Sequence, residues 1–171
     1  GADVLFENIR SESVTVQDDF ETGSRILQLD ADTSVDTLTV SFEDEEDGDE
    51  DTDGAFGDET AGDSTLSTNV DSLTLDSDDA VTFANLNDSS LDTLTLQGEG
   101  AFTITATDTT GLDVLDGSGA TDDITLGSNF DRASGAEITL GGGDDSIELD
   151  AGDNAGNAIA AGSNTTATND G

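Results

Sequence analysis

The stretch "ITLGGGDDSIEL", residues 138–149, sets three glycines directly against two aspartates, with short β-type runs on either side. Glycine takes positive φ without steric penalty, so Gly141, Gly142 and Gly143 are expected to supply a sharp turn. A glycine turn also lets backbone carbonyls approach a ligand. Asp144 and Asp145 bring carboxylates to the same turn, just before Ile147 points inward. Carbonyls and carboxylates converging on one turn form an oxygen cage, which suits a hard cation, above all calcium at roughly 2.3–2.6 Å.

Composition narrows the chemistry to such oxygens. The 171 residues include 41 acidic and three basic side chains, for a formal charge of −38, and no Cys, His, Pro, Met, Trp or Tyr. Without Cys there is no disulfide framework. Without His or Cys, zinc, copper and iron–sulfur sites lose their usual ligands. Nucleic acid and anionic membrane would be repelled, because Arg10, Arg25 and Arg132 are scattered rather than clustered. No apolar run is long enough for membrane insertion as a helix.

The same charge sets an energetic problem. Two unit charges ~5 Å apart in water repel by about 0.8 kcal/mol, and many such pairs act against a net stability of roughly 5–15 kcal/mol. Salt, divalent cations or an extended fold must relieve them.

The elements that position these turns are β-strands. Val14–Val16, Ile26–Leu29, Leu38–Val40, Leu73–Leu75, Val81–Phe83, Leu94–Leu96, Phe102–Ile104, Leu112–Leu115, Ile124–Leu126, Ile138–Leu140 and Ile147–Leu149 are short, mostly alternating apolar and polar, and separated by Asp, Gly, Ser and Asn. No window has a helical period. "VDSLTL" at 70–75 returns as "LDTLTL" at 91–96, and "AVTF" at 80–83 returns as "AFTI" at 101–104, both 21 residues on. Two landmarks with one offset predict an all-β parallel solenoid with coils of about 20 residues, each burying its apolar face on the next. The alternative is an antiparallel β-sandwich, which also uses short strands at such spacing.

"VDTLTV" at 35–40 precedes "VDSLTL" by 35 residues, which is 21 plus 14, and the excess coincides with "EDEEDGDEDTDGAFGDETAGD" at 43–63. The chain is therefore expected to divide into N-terminal β coils (1–42), an inserted acidic loop (43–63), regular 21-residue repeats (64–126), and Gly/Asp-rich coils with the C-terminal end (127–171).

The turn at 141–149 resembles the RTX family of secreted calcium-binding repeats, whose nonapeptide is G-G-x-G-x-D-x-U-x with U a large apolar residue. With Ile147 as U, Asp145 falls on the family's calcium-binding aspartate, Gly143 on the fourth-position glycine and Gly141 on the second, with Leu140 in place of the first. "GSGATDDIT" at 117–125 aligns Ile124 as U and Asp122 as the ligand, keeping Gly117 but placing Ala120 where the fourth-position glycine belongs. Asp123 beside Asp122 is a further candidate ligand, as is Asp144 beside Asp145. "GDNAGNAIA" at 152–160 puts Asn157 at the ligand position. The resemblance covers about residues 112–160. Over the longer phrase "LDGSGATDDITLGSN…ITLGGGDDSIEL" the chain is similar to bacterial surface-layer proteins and related type I-secreted adhesins.

That resemblance implies a calcium-bound, non-enzymatic module, extracellular or at the cell surface, folding with calcium and self-assembling as a homo-oligomer, with cell-surface polysaccharide as a further partner. It also implies an uncleaved C-terminal export signal, which would account for the lack of a secretory leader in residues 1–30; the chain reads as a processed product or an excised piece. Three alternatives stand beside it. One is an adhesin segment. Another is a β-helix polysaccharide-active enzyme, for which carboxylate pairs abound but no His, Lys or Tyr base is present. The third is an ice-binding solenoid, for which threonine alternation is the only signal.

Overall fold

The computed structural model describes residues 3–17, 26–43, 64–109, 111–150, 158–160 and 166–170. Among these residues there is no helix. The strands are β1 (Val4–Ile9), β2 (Ser13–Gln17), β3 (Ile26–Ala31), β4 (Thr37–Glu43), β5 (Thr65–Ser67), β6 (Ser72–Ser77), β7 (Val81–Phe83) and β8 (Asn85–Asn87). They continue with β9 (Thr93–Gly98), β10 (Phe102–Asp108), β11 (Val114–Ala120), β12 (Ile124–Asn129), β13 (Glu137–Thr139), β14 (Ser146–Asp150), β15 (Ala158–Ala160) and β16 (Thr166–Asp170).

Successive strands alternate between two sheets, except that β7 and β8 share one. One runs β1-β3-β5-β8-β10-β12-β14-β16, with β7 also pairing β10; the other runs β15-β13-β11-β9-β6-β4-β2. Every pairing among the described residues is parallel. The chain is a two-sheet parallel β-solenoid, and the antiparallel sandwich is excluded.

The repeated phrases stack as their spacing requires. Leu73 pairs with Leu94 and Leu75 with Leu96; Phe83 pairs with Ile104. The coil length breathes around this value, since Phe102 meets Ile124 and Val114 meets Glu137. Thr37 of β4 pairs directly with Ser72 of β6, so the 35-residue interval between the two phrases spans one coil. Glu43 closes β4, and the remainder of the acidic segment assigned to 43–63 lies outside the described residues.

Each coil turns alternate side chains inward, giving burial patterns such as the regular alternation of β4 and β6. In-register stacking converts those positions into columns. One holds Leu38, Leu73, Leu94, Leu115 and Ile138, another Phe83, Ile104, Leu126 and Ile147, and all are buried. Phe42 from one sheet meets Phe83 from the other with ring centroids 5.7 Å apart. At about 1.5–3 kcal/mol for each buried large side chain, these columns are the principal force set against the charge repulsion.

A third column runs along one corner. Val35, Val70, Leu91 and Leu112 are buried there, one per coil, and each is followed by an exposed aspartate: Asp36, Asp71, Asp92 and Asp113. Their backbones are tied coil to coil, because the Asp92 N–H donates to the Asp71 carbonyl and the Asp113 N–H to the Asp92 carbonyl, each at 2.9 Å. The short motif V/L-D-x-L is therefore a corner with its apolar residue inside and its charge outside. Leu112 belongs to this corner rather than to a strand, and Leu140 lies just past β13.

At the other end of the stack, β1 pairs only with β3, leaving one edge of the sheet unpaired among the described residues. Val4, Leu5 and Phe6 on it are 39%, 53% and 49% exposed, and Ile26 beside them 42%.

Candidate cation site at the glycine–aspartate turns

The turn before β14 is laid directly on the turn before β12. The Gly142 N–H donates to the Ala120 carbonyl at 2.9 Å. Of the three glycines expected to take positive φ, only Gly143 does, at +83°. Gly141 is required for a different reason. A Cβ there would collide with the carbonyl oxygens of Gly117 and Ala120, so the absence of a side chain lets the two coils close on each other. Two carbonyls thus converge on the Cα of Gly141. Gly117 itself is buried within β11, where a Cβ would come within 2.6 Å of Ile124 Cδ1.

The aspartates of the two turns clasp one another. The Asp145 Oδ1 accepts the Ile124 N–H at 3.0 Å, and the Asp123 Oδ1 accepts the Asp144 N–H at 2.6 Å. Each bond spans 21 residues, and they run in opposite directions across the same coil interface. Asp145 is only 1% exposed, and its Oδ2 has no hydrogen-bond partner. A buried carboxylate oxygen without a donor is strongly disfavoured, which makes Asp145 the unbalanced group of this interface.

Asp144 is exposed, as its position beside the inward-facing Asp145 implies. Asp122, aligned with the family's ligand aspartate, is also exposed, and its Oδ1 accepts the neighbouring Asp123 N–H at 2.9 Å. The residue brought against the following coil is Asp123, next to it. Asn157 lies outside the described residues.

The donor set fits a hard cation in kind. It offers the Asp145 Oδ2, the Asp123 carboxylate, and the carbonyls of Gly117 and Ala120 that converge on Gly141. Calcium takes six to eight oxygens, freely mixing carboxylate, carbonyl and water. No group of three or more acidic side chains placed to hold a metal occurs among the described residues.

One carboxylate escaped the sequence reading altogether. Asp88 is 2% exposed, and both its oxygens are satisfied. Oδ2 accepts the Thr68 hydroxyl at 2.6 Å and the Val70 N–H at 2.9 Å; Oδ1 accepts the Ser90 N–H at 3.0 Å and the Ser90 hydroxyl at 2.8 Å. The signal is Asp-x-Ser, and it recurs at Asp32 and, inside β11 at its register shift, at Asp116. The Asp32 Oδ1 accepts from the hydroxyl and the N–H of Ser34, and the Asp116 Oδ1 from the Ser118 N–H. Those bonds hold both carboxyls below the usual carboxylate range, with Arg10 adding a smaller contribution at Asp32 from 3.6 Å.

Comparison of the chain with protein-family models, with curated proteins and with solved structures finds no match.

Proposed function

We propose that this chain is a calcium-stabilised structural module of a secreted bacterial surface protein, one that self-assembles into a surface layer or an extracellular filament. The observation that carries the reading is the buried Asp145 Oδ2, which lacks a partner between two stacked turns whose other oxygens include the Asp123 carboxylate and the carbonyls of Gly117 and Ala120. Calcium neutralises those charges and supplies the missing partner. When it is bound, this cation contributes electrostatic bridging between coils and no redox or hydrolytic chemistry.

The residues act as scaffold and ligands. Gly141 admits the carbonyls, Gly143 turns the chain so that the next two residues reach the interface, and Asp145 and Asp123 present charge from opposite coils. Assembly is supported by the other end of the molecule. An edge unpaired among the described residues, with exposed Val4, Leu5, Phe6 and Ile26, is a template for a further strand. A surface carrying −38 charges resists such contact until cations screen it.

Titration of the chain with calcium, followed by circular dichroism and light scattering, tests both halves. Strand signal and melting temperature should rise with calcium, and scattering should then increase. A site occupied at 100-fold over its Kd adds about 2.7 kcal/mol. Identical melting in EDTA and in millimolar calcium at matched ionic strength would rule out the calcium role. Calcium-dependent folding without growth in scattering would rule out assembly.

A further inference from the structure

The exposed large apolar side chains among the described residues, Val4, Leu5, Phe6 and Ile26, all sit at one end of the stack. Two of them are interior residues without a cover. Val4 pairs with Leu27 and Phe6 with Leu29, and both partners are buried. The inward columns therefore run out at β1 in apolar side chains, where an open solenoid end calls for a polar cap. Leu5 stands on the outer face of the same strand, paired with Gln28, and Ile26 on the outer face of the next.

The strand that carries them is also a free edge among the described residues, since β1 pairs only with β3. Its regular stretch is short. Asn8 takes a φ of +62° and the register slips between Glu7 and Ile9, so regular pairing runs from Val4 to Glu7. An edge strand can add a further strand running antiparallel to it, and this one is self-complementary about Leu5. Antiparallel pairing of two copies on that centre sets Leu5 against Leu5 on the outer face. On the inner face it sets Val4 of each copy against Phe6 of the other. Directly opposed side chains of an antiparallel pair share a face, so every apolar residue of the strand meets an apolar one. The rest of the described surface offers no such match, because no other large apolar side chain is exposed there.

Resting on the assembly half of the reading above, and independent of its calcium half, we infer that this end of the solenoid binds the same end of a second copy, β1 against β1, about a two-fold axis through Leu5. Such a contact is isologous and closes on itself, so it makes a dimer, and any larger array must grow from another surface. Charge tolerates the contact here. Residues 3–17 carry Asp3, Glu7 and Glu12 against Arg10, a lower charge density than that of the whole chain. The same centre sets Asp3 of one copy opposite Glu7 of the other, and like charges so placed oppose pairing. Salt screens that repulsion and leaves the apolar contact intact. The dimer therefore tightens as ionic strength rises.

Sedimentation velocity of the full chain over a hundredfold concentration range, in EDTA at low and at high sodium chloride, tests the contact. The wild type should pass from monomer to dimer and no further, with a dissociation constant at least tenfold lower in high salt. Leu5→Glu changes the outer face and leaves the inward columns untouched; it should raise that constant at least tenfold, as should Phe6→Glu. The chain has no cysteine, so the thiol of Leu5→Cys is the only one present and lies on the two-fold axis. It should oxidise to a disulfide-linked dimer at least tenfold faster than the thiol of Thr125→Cys, at an exposed position of β12. A wild type that stays monomeric in high salt overturns the contact. A dimer indifferent to Leu5→Glu, or an open series of larger species, overturns it equally. Growth of light scattering in calcium alongside any of those results leaves the assembly reading standing, whereas a salt-tightened dimer that never grows in calcium upholds this contact and removes the layer.

Discussion

Asp88 reaches back across one coil to Val70, its Oδ2 accepting the Val70 N–H at 2.9 Å while sharing the Thr68 hydroxyl at 2.6 Å. Val70 fills the buried corner column immediately before Asp71. The carboxylate therefore fixes the corner at which the chain passes from β5 to β6, and it does so from the following coil.

Truncating that carboxylate leaves two buried donors unsatisfied. Each unsatisfied donor costs about 1–3 kcal/mol, so Asp88→Ala should lose roughly 2–6 kcal/mol. The loss should be the same in EDTA and in calcium, because no cation takes part. Asp88→Asn, which keeps acceptor capacity, should lose less. Urea denaturation of both variants in both buffers checks the size and the calcium independence together.

Leu94 occupies the middle of a five-residue apolar column, paired to Leu73 on one side and Leu115 on the other. It is fully buried, whereas Thr93 beside it faces outward. Leu94→Ala should cost about 2–5 kcal/mol, the range for a large-to-small change in a packed core. Thr93→Ala should stay within about 0.5 kcal/mol, as for most surface changes. Equal losses at the two positions would mean that the inward face is assigned to the wrong residues.

The Leu73–Leu94 register was legible in the sequence because two separate landmarks recur at one offset and each carries two inward residues. Much less could be read at β5 and β8, where a single leucine, Leu66 or Leu86, stands between polar neighbours and gives alternation nothing to repeat. The strand β16 has no large apolar residue at all. At the candidate site, the distance from the inward-facing Ile147 singles out Asp145, and the structure buries that residue. The same rule applied to Ile124 selects Asp122, but Asp123 is the residue that meets the next coil. Spacing to an inward residue identifies which side chain lines a turn, not which carboxylate lies opposite an N–H of the neighbouring coil. Asp88 was missed because Asp-x-Ser resembles any exposed turn until stacking places Thr68 and Val70 against it.

The adjacent aspartates 144 and 145 should separate cleanly by mutation. Asp145→Ala removes a buried ligand and leaves the Ile124 N–H without its acceptor, so stability in calcium should fall by roughly 1–3 kcal/mol and calcium affinity with it. Asp144→Ala removes an exposed charge while keeping the backbone N–H that Asp123 accepts, and in EDTA it should be neutral or slightly stabilising. Isothermal titration with calcium, paired with melting in both buffers, distinguishes them. Matching behaviour of the two variants would identify the turn as an ordinary solvated loop.

Acid should act on the Asp-x-Ser pairs in a defined direction. At Asp32 the hydroxyl and N–H of Ser34 stabilise the charged carboxylate, burial opposes them slightly, and Arg10 assists, so the folded-state pKa lies below the ordinary value. Asp116 is lowered in the same sense by Ser118. A depressed folded pKa means that the unfolded chain binds protons first as the pH falls. The stabilisation is thus fully present above the unfolded carboxylate pKa and is lost as pH falls through the folded one. Both pairs lie at or near the surface, so the contribution to overall stability is small and screened by salt. The pKa itself is the sharper readout. Ser34→Ala should move the Asp32 titration, followed by carboxyl-carbon NMR, upward toward the ordinary range, and Arg10→Gln should move it by less. An Asp32 titration unaffected by loss of the Ser34 hydroxyl would show that the corner hydrogen bond does not form in solution.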